Sequence, residues 1–127
     1  FHLTKTGEVQ LDKLAVGVPY QDKSNIGRWK HARRDARDRG NMWFVPYETV
    51  QSAKEHPAAF PVGLAEMCIR LHGLDKGRLL VMDPFLGSGS TALAARALGC
   101  DWVGFEVDPH YVEMASRKLA AAQDAGA

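Results

Sequence analysis

The chain has 127 residues, with 16 Lys and Arg against 15 Asp and Glu and a formal net charge of +1. That length fits one modest domain, and ordinary apolar and charged fractions of 46% and 24% exclude fibrous and low-complexity classes. Two cysteines, Cys68 and Cys100, without C-x-x-C spacing exclude a disulfide framework, so a reducing cytoplasm is the default compartment. No apolar run is long enough for a membrane span and no secretory signal is visible.

The sequence opens on Phe1 directly into an alternating pattern, which reads as a piece of a longer chain. Leu3, Val9 and Leu11 around the turn-forming Lys5-Thr6-Gly7-Glu8 predict a short hairpin or edge strand over 2–12. Residues 17–42 hold Gly17, Pro19, Gly27 and Gly40 and little apolar periodicity, so a loop is expected. Trp29 to Arg39 is allowed one or two helical turns without an apolar stripe. This stretch carries Lys23, Arg28, Lys30, Arg33, Arg34, Arg37 and Arg39 against Asp22, Asp35 and Asp38. A local basic cluster on a near-neutral domain points to a polyanion, and a solvated charged loop is the plainer alternative. Met42 to Val45, ended by Pro46, predicts a strand or extended anchor.

From Pro61 the periodicity is clear. Leu64, Met67, Cys68, Leu71 and His72 fall at helical spacing before Gly73. Leu79-Leu80-Val81-Met82 reads as a strand buried on both faces, ending at Asp83. A glycine loop, 84–89, leads into a helix over Thr91–Leu98 with Ser90 as N-cap and Gly99 as its stop. Trp102 to Phe105 is a second buried strand ending at Glu106. Pro109 to Ala122 is a helix with Val112, Ala115 and Leu119 on one face. Strands alternating with helices imply α/β class with a parallel, Rossmann-like sheet. The chain divides into residues 1–50, a hairpin and basic loop, and 51–127, an αβαβα segment.

Ligands of such sheets bind beyond the carboxyl ends of the strands. Gly87 and Gly89 allow a sharp turn and close approach of a ligand to main-chain N–H groups, and the helix start beyond them favours an anionic group. Glu106, ending the next strand, is placed to accept ribose hydroxyls. Gly87-Ser88-Gly89-Ser90-Thr91-Ala92 satisfies the G-x-G-x-x-A dinucleotide pattern, which by itself separates neither NAD from S-adenosylmethionine nor a bound ligand from a tight strand–helix turn.

Asp83-Pro84-Phe85-Leu86-Gly87-Ser88-Gly89-Ser90-Thr91 resembles the cofactor motif of the DNA amino-methyltransferases. Val103-Gly104-Phe105-Glu106-Val107-Asp108 resembles their next motif, and His56-Pro57-Ala58-Ala59-Phe60-Pro61 the one that precedes both in the beta-class order. Pieces of 1–18 and 41–46 also resemble that family, so the likeness covers nearly the whole chain. The resemblance implies an incomplete S-adenosylmethionine-dependent methyltransferase fold, the C-terminal portion of the sheet. It implies a cofactor site from His56, Phe60, Pro61, Asp83, Phe85, Leu86, Gly87, Ser88, Gly89, Ser90, Thr91, Glu106 and Val107. In it Asp83 and 86–89 face the methionine end, Ser90 and Thr91 meet its carboxylate, Glu106 takes the ribose, and Phe60 and Val107 flank the cofactor. Trp102 and Tyr111 are read as packing residues.

The implied reaction is methyl transfer to N4 of cytosine or N6 of adenine. Phe60, where many adenine enzymes of the family carry Lys, inclines the reading to N4-cytosine. The family's Asp/Asn/Ser-Pro-Pro-Tyr/Phe motif has no counterpart, since no Pro-Pro pair occurs. Catalytic residues are therefore expected upstream or on a partner chain, and the chain alone is expected to be inactive. The expected partners are double-stranded DNA, contacted through Lys23, Arg28, Lys30, Arg33, Arg34 and Arg37, and that catalytic segment, with a homodimer allowed and no metal. The expected setting is the cytoplasm of a bacterium or phage-infected cell. A non-catalytic cofactor-binding subunit, an NAD-dependent oxidoreductase half-domain and a small-molecule methyltransferase are the competing readings.

Overall fold

The computed structural model describes residues 5, 7, 9–24, 28, 35–46, 59–74, 77 and 79–124. Its elements are β1 (Val18–Pro19), β2 (Ala36–Arg37), α1 (Val62–Leu71), β3 (Leu80–Asp83), α2 (Ser90–Ala97), β4 (Asp101–Gly104) and α3 (Pro109–Asp124). β1 and β2 form a two-residue antiparallel ladder, and β3 and β4 pair in parallel with Leu80 opposite Asp101 and Asp83 opposite Gly104.

The β3–α2–β4 unit follows the sequence order. α1 buries Ala65 and Ile69, four residues apart and hence on one face. It ends at His72, and Gly73 takes φ +83°, the left-handed stop that glycine supplies without a Cβ clash. α2 buries Ala92, Ala94 and Ala95. Ala65, Ile69, Ala94 and Ala95 form the core cluster, with Val62, Leu74, Leu79, Val81, Leu98 and Cys100 packed around it. Alanines at the contact between α1 and α2 leave the core poor in large side chains.

Four expectations are corrected. β3 is covered on one face only: Val81 turns to the helices, whereas Leu80 and Met82 are 68% and 64% exposed. β4 likewise leaves Trp102 and Val103 partly exposed. A continuous apolar run implies burial on both faces, but no described element covers the second one. On α3, Met114 and Ala115 are buried and Leu119 half-buried, while Val112 is exposed. Of the strand or extended anchor expected at 42–46 the structure shows no strand; Met42 and Phe44 are exposed, and the Trp43 indole donates to the Gly40 carbonyl at 3.1 Å.

The N-terminal reading is corrected as well. Of the expected hairpin, residues 1–4, 6 and 8 lie outside the described residues; 9–12 form no strand, and a turn follows at 13–16. The Asp12 carboxylate accepts the Leu14 and Ala15 N–H groups, which favours that turn, and the Asp12 N–H donates to the Leu71 carbonyl at 2.8 Å, fixing the segment to the end of α1. Of the expected helical turns, 29–34 lie outside the described residues, and Ala36–Arg37 is strand. Gly17 permits that pairing, because a Cβ there would stand 2.9 Å from the Arg37 carbonyl oxygen.

Candidate functional site

The two parallel strands end side by side, and backbone bonds continue past them. Phe105 N–H donates to the Asp83 carbonyl at 2.9 Å, and Leu86 N–H to the Phe105 carbonyl at 2.8 Å. The Asp83 carboxylate accepts the Phe85 N–H at 3.0 Å, shaping the turn out of β3. Gly87 at φ +53° and Gly89 at φ +88° carry the chain through the left-handed region into α2. Gly89, not Ser90, is the N-cap, and no side chain caps the helix. Ser90 begins α2 instead, and its hydroxyl donates to the Phe60 carbonyl at 2.9 Å. That bond ties the loop to the Ala59-Phe60-Pro61 segment leading into α1.

Glu106 is the hub. One carboxylate oxygen accepts the Gly87 N–H at 2.8 Å, and the other accepts the Val107 and Asp108 N–H groups, both at 2.9 Å. The acid therefore links the end of β4 to the glycine loop after β3. Asp108 accepts the His110 N–H at 2.9 Å and caps α3, with Pro109 in the first helical position, where it needs no donor.

Two concavities adjoin at this hub. One, of about 290 Å³, is lined by Ala59, Phe60, Phe85, Leu86, Gly87, Ser88, Ser90, Glu106 and Tyr111. The other, of about 490 Å³, is lined by Pro84, Phe85, Leu86, Gly104, Phe105, Glu106, Val107 and Val112. Phe85, Leu86 and Glu106 belong to both. This is the shape for a two-part ligand: an apolar slot for a base, a carboxylate at the junction for hydroxyls, and a loop with buried Ser88 and Ser90 for a polar tail. The residues fit a nucleoside with a zwitterionic tail.

A more apolar groove of about 480 Å³ lies between α1 and β3, lined by Phe60, Leu64, Cys68, Ile69, Leu80 and Thr91 among others. Burial there pushes the Cys68 thiol above its ordinary value. It lacks the convergent backbone donors and carboxylate found at the strand ends.

Of the expected cofactor residues, Phe60, Phe85, Leu86, Gly87, Ser88, Ser90, Glu106 and Val107 line the paired cavities. Asp83 shapes the turn, Gly89 packs against α3, and Pro61 leads into α1. Thr91 lines the α1–β3 groove instead. His56 lies outside the described residues. Tyr111, read from the sequence as packing, lines the loop cavity; its one sequence signal is a position in the first turn of the helix that follows Glu106.

Of the basic residues, Lys30, Arg33 and Arg34 lie outside the described residues, and Arg28 and Arg37 are exposed. Lys23 pairs with Asp35, Lys13 with Asp38 at 3.4 Å, and Arg39 Nε donates to the Val16 carbonyl at 2.8 Å. Backbone bonds from Ser24 and Gly40 hold the Asp22 and Asp38 carboxyls below the usual range, so these acids stay ionised among the cations. Among the described residues no helix is long and apolar enough to cross a membrane, and no cluster of three or more His, Cys, Asp or Glu could hold a metal.

Residues 1–117 match the family model for the N6/N4 DNA methylases. The chain belongs to the N6/N4 DNA methylase family. Curated relatives include the type II methyltransferases M.SmaI of Serratia marcescens, 29% identical, and M.Cfr9I of Citrobacter freundii, 36% identical. Each alignment covers 94% of this chain, but only 36% and 35% of the relative. A solved structure described as the M1.HpyAVI–SAM complex is 33% identical over half of this chain and 31% of that one, with a TM-score of 0.47. The chain thus spans little more than a third of those two relatives, and 21% of M.BglI of Bacillus subtilis. The cofactor of this methylase family is S-adenosylmethionine, a nucleoside with a zwitterionic tail.

Proposed function

We propose that these residues are the cofactor-binding portion of a DNA methyltransferase acting on an exocyclic base amine, N4 of cytosine or N6 of adenine. The observation that carries the reading is the Glu106 carboxylate, anchored to the Gly87 N–H at the junction of the two cavities. Glu106 faces the ribose hydroxyls. Val107, Phe105 and Phe85 line the slot for the adenine, and Gly87, Ser88, Ser90 and Phe60 surround the methionine tail. The uncapped start of α2 turns its dipole end toward the tail's carboxylate.

Bound S-adenosylmethionine supplies a methyl group activated on a sulfonium. The residues of this chain hold it by fixed backbone donors and a pre-oriented carboxylate, and such positioning is the main lever for a transfer of this kind. No Pro-Pro pair occurs in the sequence, so the orientation of the target amine is assigned to none of its residues. DNA is the substrate we assign to the basic stretch, with Lys23, Arg28 and Arg37 as its exposed described members; Lys30, Arg33 and Arg34 belong to the same stretch of sequence. Phosphate contacts of that kind position the duplex without reading its sequence.

Calorimetric titration with S-adenosylhomocysteine tests the cofactor reading, with NAD as control. Saturable binding that drops at least tenfold in Glu106→Ala, with none for NAD, is expected. Equal affinity in wild type and variant would remove the assignment. For DNA, duplex affinity should fall steeply with salt, and Arg28→Ala with Arg37→Ala should flatten the slope of log K against log salt concentration by about one per lost contact. A salt-independent affinity would refute a phosphate-binding role.

A further inference from the structure

We infer that Tyr111 is a ligand-contacting residue that closes the methionine half of the cofactor pocket. The inference rests on the proposed cofactor site, where α3 already brings Val112 to the base slot, and adds to it a second residue of that helix on the side of the tail. Tyr111 lines the loop cavity together with Phe60, Gly87, Ser88, Ser90 and Glu106. It is absent from the lining of the neighbouring cavity, which holds Val107, Phe105 and Gly104. Tyr111 therefore stands on the side of the polar tail, away from the base slot.

Its placement follows from local chemistry. Glu106 fixes the 106–108 turn by accepting two of its N–H groups, while its other oxygen holds the glycine loop. Asp108 then caps α3 through the His110 N–H, and the Val112 N–H closes the first turn on the Asp108 carbonyl at 3.1 Å. Tyr111 lies inside that turn, so the same carboxylate that meets the ribose sets the position of the ring relative to the loop. The adjacent His110 ring, centroid 5.6 Å away and tilted by 55°, limits the space on one side. A phenol brings an apolar face and a hydroxyl that donates or accepts, which suits a thioether chain ending in ammonium and carboxylate.

The test compares two ligands that share the nucleoside and differ in the tail. In Tyr111→Ala, affinity for S-adenosylhomocysteine is expected to fall at least tenfold, while affinity for adenosine stays within twofold of wild type. Glu106→Ala should weaken both. Loss of both ligands in a folded Tyr111→Ala, or of neither, would overturn the role of Tyr111 and leave the cofactor site standing. Wild-type chain that binds neither ligand would overturn both. A second measurement needs no truncated side chain: ring-labelled tyrosine spectra of the wild-type chain, with Tyr111→Phe supplying the assignment. The Tyr111 ring signal should move with S-adenosylhomocysteine and remain in place with adenosine; the reverse pattern refutes the inference.

Discussion

Gly89 is constrained from two directions. Its backbone is left-handed at φ +88°, and a Cβ there would lie 3.0 Å from the Ala115 Cβ on α3. Gly89→Ala strains the turn and forces α2 and α3 apart, so it should destabilise the fold by about 1–3 kcal/mol, read as a lower urea midpoint at unchanged slope. Gly104 has a different neighbour: a Cβ there would stand 2.8 Å from both terminal methyls of Leu86, which lines both cavities. Gly104→Ala therefore displaces Leu86 and should weaken S-adenosylhomocysteine binding. Shortening Leu86 removes the clash, so Gly104→Ala and Leu86→Ala should couple in a double-mutant cycle by roughly 0.5–3 kcal/mol. Additive effects would show that the two residues do not press on one another. The glycine pattern announced a tight turn, but the reason Gly89 must be small lies on a helix twenty-odd residues later, beyond the reach of local spacing.

At the scale of elements, α1, β3, α2, β4 and α3 were legible, because apolar periodicity and glycine stops repeat the rules of isolated helices and strands. What periodicity did not carry was coverage. Leu80 and Met82 read as interior from their type alone, yet exposure depends on what packs above them. The start of α2 was misjudged by one residue, since Ser90 has a partner across the fold: it donates to the Phe60 carbonyl and so cannot be read as a local cap. Ser90→Ala removes that bond and should cost about 0.5–1.5 kcal/mol, measured by thermal unfolding. It should also loosen Phe60 against the cavity, seen as faster amide exchange in the 59–61 segment. Unchanged exchange there would mean that the bond does not tie the two segments together. Gly87 and Glu106, singled out from the sequence, meet in the structure through a hydrogen bond, whereas Tyr111, read as packing, lines the cavity beside them without any sequence signal beyond its place in the helix.

For the whole molecule, among the described residues no further strand pairs with the β3–β4 sheet and no element covers its second, apolar face. Leu80 and Met82 project from that face, and Phe105 is 56% exposed beyond the end of β4. Parallel sheets are normally covered on both faces, and so small a sheet rarely stands alone. The isolated chain should therefore self-associate at micromolar concentration. Leu80→Thr with Met82→Thr should shift it toward monomer in sedimentation velocity while leaving cofactor affinity within twofold. Association unaffected by the pair would place the sticky surface elsewhere, at Met42 and Phe44 for example.

The alanine-rich core has a consequence for the lifetime of the chain. Among the described residues the most deeply buried apolar side chains are alanines, with Val16, Ile69 and Met114 at 7% exposure, so much of the core's burial comes from small groups that each contribute little. A ligand that binds only the folded form adds about 2.7 kcal/mol at a hundredfold excess over its Kd, a sizeable part of a small domain's stability. Digestion by thermolysin should accordingly slow by an order of magnitude or more when S-adenosylhomocysteine is present. Occupancy of the proposed cofactor site would then set how long the folded chain resists a protease, a dependence on ligand supply that a richer core would mask.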